Sequence, residues 1–202
     1  MPSKNIIRYY DTDRYYHVYN RGVEKRIIFL DDEDYAVFVN LFKRYLSDEP
    51  SSDNKGRNYD WFSEDIELLA FCLMPNHFHL LVYQIHLGAI TNLLRSICAT
   101  YTMYFNKKYD RVGPLFQGKF KASSIQNDAY LSYISRYIHR NPINYMSWEW
   151  SSLPYWISIK HSSWLKNSRL NSMSPEQYIE FINDEDDFES SLDDMQNEMI
   201  DL

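Results

Sequence analysis

An α+β fold, a small antiparallel sheet with helices packed on it, is predicted by three features of this sequence. Short aromatic and β-branched stretches read as strands, longer stretches repeat apolar residues at helical spacing, and two apolar runs are joined by nothing longer than Met74-Pro75-Asn76. At 202 residues, with 45% hydrophobic and 17% aromatic content, the chain can bury a core of one domain plus appendages.

Taken in order, Arg14 to Gly22 is a strand that ends in the turn punctuation Asn20-Arg21-Gly22. Alternation puts Tyr16, Val18 and Asn20 on one face and Tyr15, His17 and Tyr19 on the other. Asp31 or Asp32 can cap a helix whose Tyr35, Phe38, Val39, Phe42, Tyr45 and Leu46 follow helical spacing. Ser47 to Asp60, rich in Ser, Asp, Asn, Pro and Gly, reads as a surface loop or insertion. Ile66 to Leu73 and His77 to Gln84 then make a hairpin, expected near the centre of the sheet. A second helix should run from Ala89 to Lys107, burying Ile90, Leu93, Leu94, Ile97, Tyr101, Tyr104 and Phe105. Gly113-Pro114 breaks the chain, and Phe120 to Ile125 supplies a further strand. The third helix, capped by Asn127 or Asp128, extends to Asn141 and is stopped by Pro142, which disfavours helix in the residue before it. Beyond it, Trp148 to Ser152 and Tyr155-Trp156 read as an aromatic wrap over the core. Ser174 to Phe181 reads as a short helix opened by Ser-Pro-Glu, and Asp184 to Leu202 as a frayed tail.

Cys72 and Cys98 form neither a CxxC motif nor a disulfide framework, which fits a reducing interior. No apolar run reaches the length of a membrane span and the first residues lack the order of a signal peptide, so a soluble cytoplasmic protein without a membrane partner is expected. The net charge of −7 argues against a polyanionic partner only until it is located. Eleven acidic and no basic residues lie in 171–202, which leaves the first 170 residues at +4. Thr91 to Pro142 alone holds eight Lys and Arg against two Asp. A basic body suits a polyanion, although such a run is as often a solvated helix face.

The chemistry concentrates in two places. In a strand His77 and His79 share one face while Phe78, Leu80 and Val82 share the other, so two imidazoles face one point in space. Taken alone this is also the pattern of an ordinary amphipathic strand. In the third helix Tyr137 and Asn141 are four residues apart and stack on one face. Where that face meets the histidines, two imidazoles, an amide oxygen and a phenol would surround one position. Mixed nitrogen and oxygen ligation with open positions suits Mg2+ or Mn2+ acting on a phosphate better than a closed zinc site.

Residues 13–157 resemble the single-tyrosine HUH transposases, among them the REP-associated tyrosine transposases and their insertion-sequence relatives. The resemblance rests on Tyr16-His17-Val18-Tyr19-Asn20-Arg21-Gly22, Met74-Pro75-Asn76-His77-Phe78-His79-Leu80-Leu81 and Tyr104-Phe105-Asn106. It continues in Gly113-Pro114-Leu115-Phe116-Gln117-Gly118-Lys119-Phe120-Lys121, Tyr137-Ile138-His139-Arg140-Asn141-Pro142 and Trp150-Ser151-Ser152. It implies a ferredoxin-like sheet, with a catalytic domain over 1–157 and a C-terminal extension over 158–202. It further implies that His77, His79 and Asn141 hold Mg2+ or Mn2+, and that Tyr137 attacks single-stranded DNA near a hairpin or repeat, forming a 5′-phosphotyrosine.

Candidate DNA contacts are His17, Arg21, Lys107, Lys108, Arg111, Lys119, Lys121, Arg136 and Arg140. For His17, a role supporting the ligands, a DNA contact and a structural role all stay open. Tyr133, one turn before Tyr137, is the rival nucleophile, and His139 falls on the opposite side of the helix from Tyr137. A DNA-binding protein that keeps the fold without cutting is the second functional reading, and a hydrolase of another phosphodiester the third. Both monomer and homodimer occur among the relatives.

Overall fold

The computed structural model describes residues 10–125, 128–170 and 173–184; the expected cap Asn127 and the tail beyond Asp184 lie outside them. Strand β1 (Arg14–Arg21) leads to helix α1 (Asp32–Leu46), the hairpin β2 (Ile66–Met74) and β3 (His77–Gln84), and helix α2 (Ala89–Lys108). Strand β4 (Lys121–Ile125) and helix α3 (Asp128–Arg140) follow, then α4 (Leu153–Trp156) and α5 (Pro175–Asn183). The strand order is β2-β3-β1-β4 and each neighbouring pair is antiparallel. β1 and β2 therefore run parallel with β3 between them, as β3 and β4 do across β1. This is the βαββαβ arrangement of a ferredoxin-like fold.

The hairpin is not central. β1 takes the free side of β3, so β2 is left at the edge of the sheet. An edge strand exposes unpaired N–H and C=O groups, and here the chain after α3 covers them. Leu73 N–H donates to the Trp150 carbonyl at 2.9 Å, Ser152 N–H to that of Phe71 at 2.9 Å, and Lys166 N–H to that of Leu68 at 2.8 Å. The indoles of Trp148 and Trp156 donate to the Leu73 and Leu69 carbonyls at 3.1 and 3.0 Å. The aromatic wrap read from the sequence is this edge cover.

Each face of the sheet has its own core. Tyr16, Val18, Phe78, Leu80 and Val82 pack with α1 and α2, whereas Leu81, Ala70 and Cys72 pack with Leu131, Ile134 and Ile138 of α3. β2 serves both through a bulge between Leu68 and Ala70. The extra residue lets Leu68 and Phe71 share one face despite their odd separation, and turns Leu69 and Ala70 to the other. Residues beyond 157 enter both cores: Trp164 and Leu165 join the first, Tyr178 and Ile182 the second.

Local chemistry sets the element ends. Asp31 caps α1, its side chain accepting from Asp34 N–H at 3.1 Å. Buried Asp34 accepts from Leu30 N–H, the hydroxyls of Tyr104 and Tyr109 and the Lys108 ammonium, tying the start of α1 to the end of α2. Gly22 ends β1 where a Cβ would collide with the Arg26 carbonyl oxygen, so only glycine allows the loop to fold back there.

α3 is held by a buried polar staple. His139 Nδ1 lies 2.7 Å from the Tyr178 hydroxyl on α5, and its Nε2 lies 2.7 Å from Ser152 Oγ beside the sheet edge. His139 is fully buried, so replacing it leaves a void and two polar groups short of a partner. His139→Ala should lower the unfolding free energy by about 3 kcal/mol in urea titrations. An unchanged midpoint and slope would mean that the staple contributes nothing.

Candidate active site

The two-residue turn Pro75-Asn76 places His77 at the first position of β3, opposite Arg21, and His79 opposite Tyr19. Period-two alternation then sends His77 and His79 to the α3 side and Phe78 and Leu80 to the core of α1 and α2. α3 brings its own polar face to the same place. The Tyr137 ring meets His79 edge-on with centroids 5.5 Å apart, and Asn141 Oδ1 lies 3.3 Å from His77 Nε2. The two histidines, Tyr137 and Asn141 thus converge within one chain. They line a cleft of about 310 Å³ together with Tyr19, Asn20, Arg21, Lys25, Asn76, Gln117, Lys119 and Lys121.

Hydrogen bonding fixes the state of His77. Its Nδ1 is 2.6 Å from Asn76 Oδ1, an oxygen that can only accept, so the ring hydrogen is on Nδ1. His77 Nε2 and Asn141 Oδ1 are then two acceptors facing each other at 3.3 Å, an arrangement that a cation between them would relieve. His79 adds Nε2, a buried nitrogen with no hydrogen-bond partner among the described residues. Two imidazole nitrogens and an amide oxygen fit a divalent ion that keeps open positions. No group of three or more His, Cys, Asp or Glu suited to a metal is present among the described residues, so this amide-containing set is the candidate centre.

Burial governs the protonation of the site. It pushes His17 down to about 3 and His79 well below the ordinary histidine value, with neighbouring His17 and His77 lowering His79 further. His77 is lowered mainly by burial and also by the Arg21 charge, while the Asn141 contact opposes. The rings are therefore neutral, as ligands must be. Burial raises the Tyr137 phenol, and a hydrogen bond with Asn141 partly offsets that.

The candidate DNA contacts divide. Arg21, Lys119 and Lys121 line the cleft, and Arg21 Nε donates to Gln117 Oε1 at 2.7 Å. His17 is buried behind His79 and reaches no surface. Lys107 is exposed near the end of α2 and lines no part of the cleft. Lys108 is held by Asp31, Glu33 and Asp34, and Arg111 by Asn106 Oδ1. Arg136 is fully buried and donates to the Phe181 carbonyl, while Arg140 lies over the Tyr145 ring. Arg136 is spent inside the protein because helical periodicity carries it to the α5 side. Tyr133 packs against Phe181, away from the cleft. Sequence reasoning missed Lys25 and Gln117, whose positions depend on how two loops close over the ends of β1 and β3.

Residues 61–141 match the family model described as transposase, IS200 like. No curated protein matches. Among solved structures, one described as the REP-associated tyrosine transposase bound to a REP hairpin is similar in fold, with a TM-score of 0.57 and 15% identity. The match covers 86% of this chain and 96% of that one. The family resemblance and the α+β fold read from the sequence are borne out. No helix among the described residues is long and apolar enough to cross a membrane.

In the unfolded chain His17, His79 and His139 take up protons near the ordinary histidine value of 6.5, whereas in the fold His17 and His139 resist protonation to about 3. The unfolded state therefore binds more protons below 6.5, so stability is complete above that pH and falls as the pH drops. Each ring should cost about 2 kcal/mol between pH 7 and pH 5, read as a falling urea midpoint. A midpoint equal at the two pH values would contradict neutral burial.

Proposed function

We propose that this chain, whose residues 61–141 match the IS200-like transposase family model, cuts and rejoins single-stranded DNA through Tyr137. Mg2+ or Mn2+ would be held by His77, His79 and Asn141. The observation that carries the reading is the convergence of a phenol with two facing lone pairs, on His77 Nε2 and Asn141 Oδ1, in one basic cleft.

A divalent ion in this site would supply charge to the scissile phosphate and stabilise the pentavalent transition state. The remaining work falls to the chain. Arg21, Lys25, Lys119 and Lys121 attract the DNA backbone and hold the phosphate beside the phenol. Asn141, hydrogen-bonded to Tyr137, lowers the cost of forming the phenolate that burial otherwise raises. Tyr137 Oη bonds to phosphorus as the bond to the 3′ oxygen breaks, leaving a 5′-phosphotyrosine and a free 3′-hydroxyl. One phosphodiester replaces another, so attack by a 3′-hydroxyl on the phosphotyrosine rejoins DNA without ATP. A hairpin or repeat beside the cleavage position is the expected recognition element, by analogy with the hairpin in the similar solved structure. The whole site lies within one chain, which favours a protein that works without a swapped partner helix.

Incubation with Mn2+ and labelled single-stranded DNA carrying a candidate hairpin should give a covalent adduct, lost on chelation and in Tyr137→Phe. Binding without an adduct would favour the non-cleaving reading, and turnover that survives Tyr137→Phe would favour a hydrolase. Charge reversal of both Lys25 and Lys119 should weaken single-strand binding at least tenfold in low salt and flatten its salt dependence. Unchanged affinity and slope would remove the cleft from DNA binding.

A further inference from the structure

Behind His79 stands a ring that takes no part in lining the cleft. His17, on β1, is 1% exposed and stacks on His79 with 16° between the ring planes. Its Nε2 lies 2.9 Å from His79 Nδ1. Each neutral ring has one N–H and one lone pair, so this contact needs one donor and one acceptor. Two arrangements satisfy it. If His17 Nε2–H donated, His79 would carry its hydrogen on Nε2, and that nitrogen could bind no metal. If His79 Nδ1–H donates, His79 Nε2 keeps its lone pair, and Nε2 is the ring atom left without a partner.

We propose that His17 is a positioning residue, whose Nε2 accepts from His79 Nδ1–H and so holds His79 in the tautomer that can ligate through Nε2. The inference rests on the metal-binding reading above. His77 is prepared in the same manner by a different group, its Nδ1 donating to Asn76 Oδ1. Both ring orientations are thereby set from behind, by Asn76 in the turn for His77 and by His17 in the next strand for His79. The assignment puts the hydrogen of His17 on Nδ1, a buried atom with no partner among the described residues. An apolar side chain would spare the fold that unpaired N–H. What the imidazole supplies in return is the acceptor for His79.

The test is Mn2+ binding by the protein without DNA, followed by electron paramagnetic resonance, with wild type, His17→Leu and His17→Gln. Leucine removes the acceptor and should weaken Mn2+ binding 10- to 100-fold. Glutamine carries an oxygen near the place of His17 Nε2 and should restore affinity to within about threefold of wild type. Pulsed measurements should count two coordinated histidine nitrogens in wild type and His17→Gln alike. Imidazole 15N spectra of the wild-type protein should place hydrogen on Nδ1 of both His17 and His79, which decides the point even if His17→Leu does not fold. A third coordinated nitrogen or equal affinity in His17→Leu would each overturn the proposal while leaving metal binding intact, and hydrogen on His79 Nε2 would overturn it whatever the measured Mn2+ affinity says of the metal reading. Failure of wild type to bind Mn2+ would overturn the metal reading, and this inference with it.

Discussion

Helix α3 lies on the sheet because Leu131, Ile134 and Ile138 recur at helical spacing and meet Ala70, Cys72 and Leu81. The polar residues of the helix are positioned by that contact. With the stripe buried, Tyr137 and Asn141 fall on the flank facing His77 and His79, while Arg136 and His139 fall on the flank facing α5 and the edge cover. A slip of the helix by one residue would rotate the phenol by about 100° and separate it from the histidines. The buried bonds of His139 to Tyr178 and Ser152 oppose such a slip, so a network remote from the cleft helps to set its geometry.

The same burial has two consequences for chemistry. It keeps His17, His77 and His79 neutral, which is the state in which an imidazole can ligate, at a cost to stability in acid. It also makes the Tyr137 phenol a weaker acid, the opposite of what a nucleophile needs. The Asn141 hydrogen bond offsets part of the second effect. A cation in the site would add to that offset.

What could be read from the sequence follows from periodicity. Alternation in β1 and β3 gave the faces of His17, His77 and His79 correctly, and spacing by four paired Tyr137 with Asn141. The helix bounds were close for the same reason, since α1, α2 and α3 each carry a full apolar stripe. What periodicity cannot supply is depth and partnership. Arg136 and Lys108 look like solvated cations in a charge count, yet one is buried against a carbonyl of α5 and the other is held by three carboxylates, Asp31 at the cap of α1 and Glu33 and Asp34 in its first turn. The bulge at Leu69 breaks the alternation of β2, and the place of that strand at the sheet edge depends on which side of β3 receives β1. Lys25 and Gln117 reach the cleft through loop closure, for which local sequence has no period to read.

The attachments of α3 also bear on how the site is assembled. Ser135 and His139 bond to Tyr178, Arg136 bonds to the Phe181 carbonyl, and His139 bonds to Ser152, all within one chain and mostly out of water. A helix held only by its apolar stripe could pass to a second copy at little cost, since the same stripe would find the same sheet. Here the exchange would have to unmake buried polar contacts with α5 and the edge cover, or carry both along. The residues after 150 thereby do more than complete the cores. They fasten the tyrosine-bearing helix to the sheet that holds its own histidines, so the distances among Tyr137, Asn141, His77 and His79 are set within one chain.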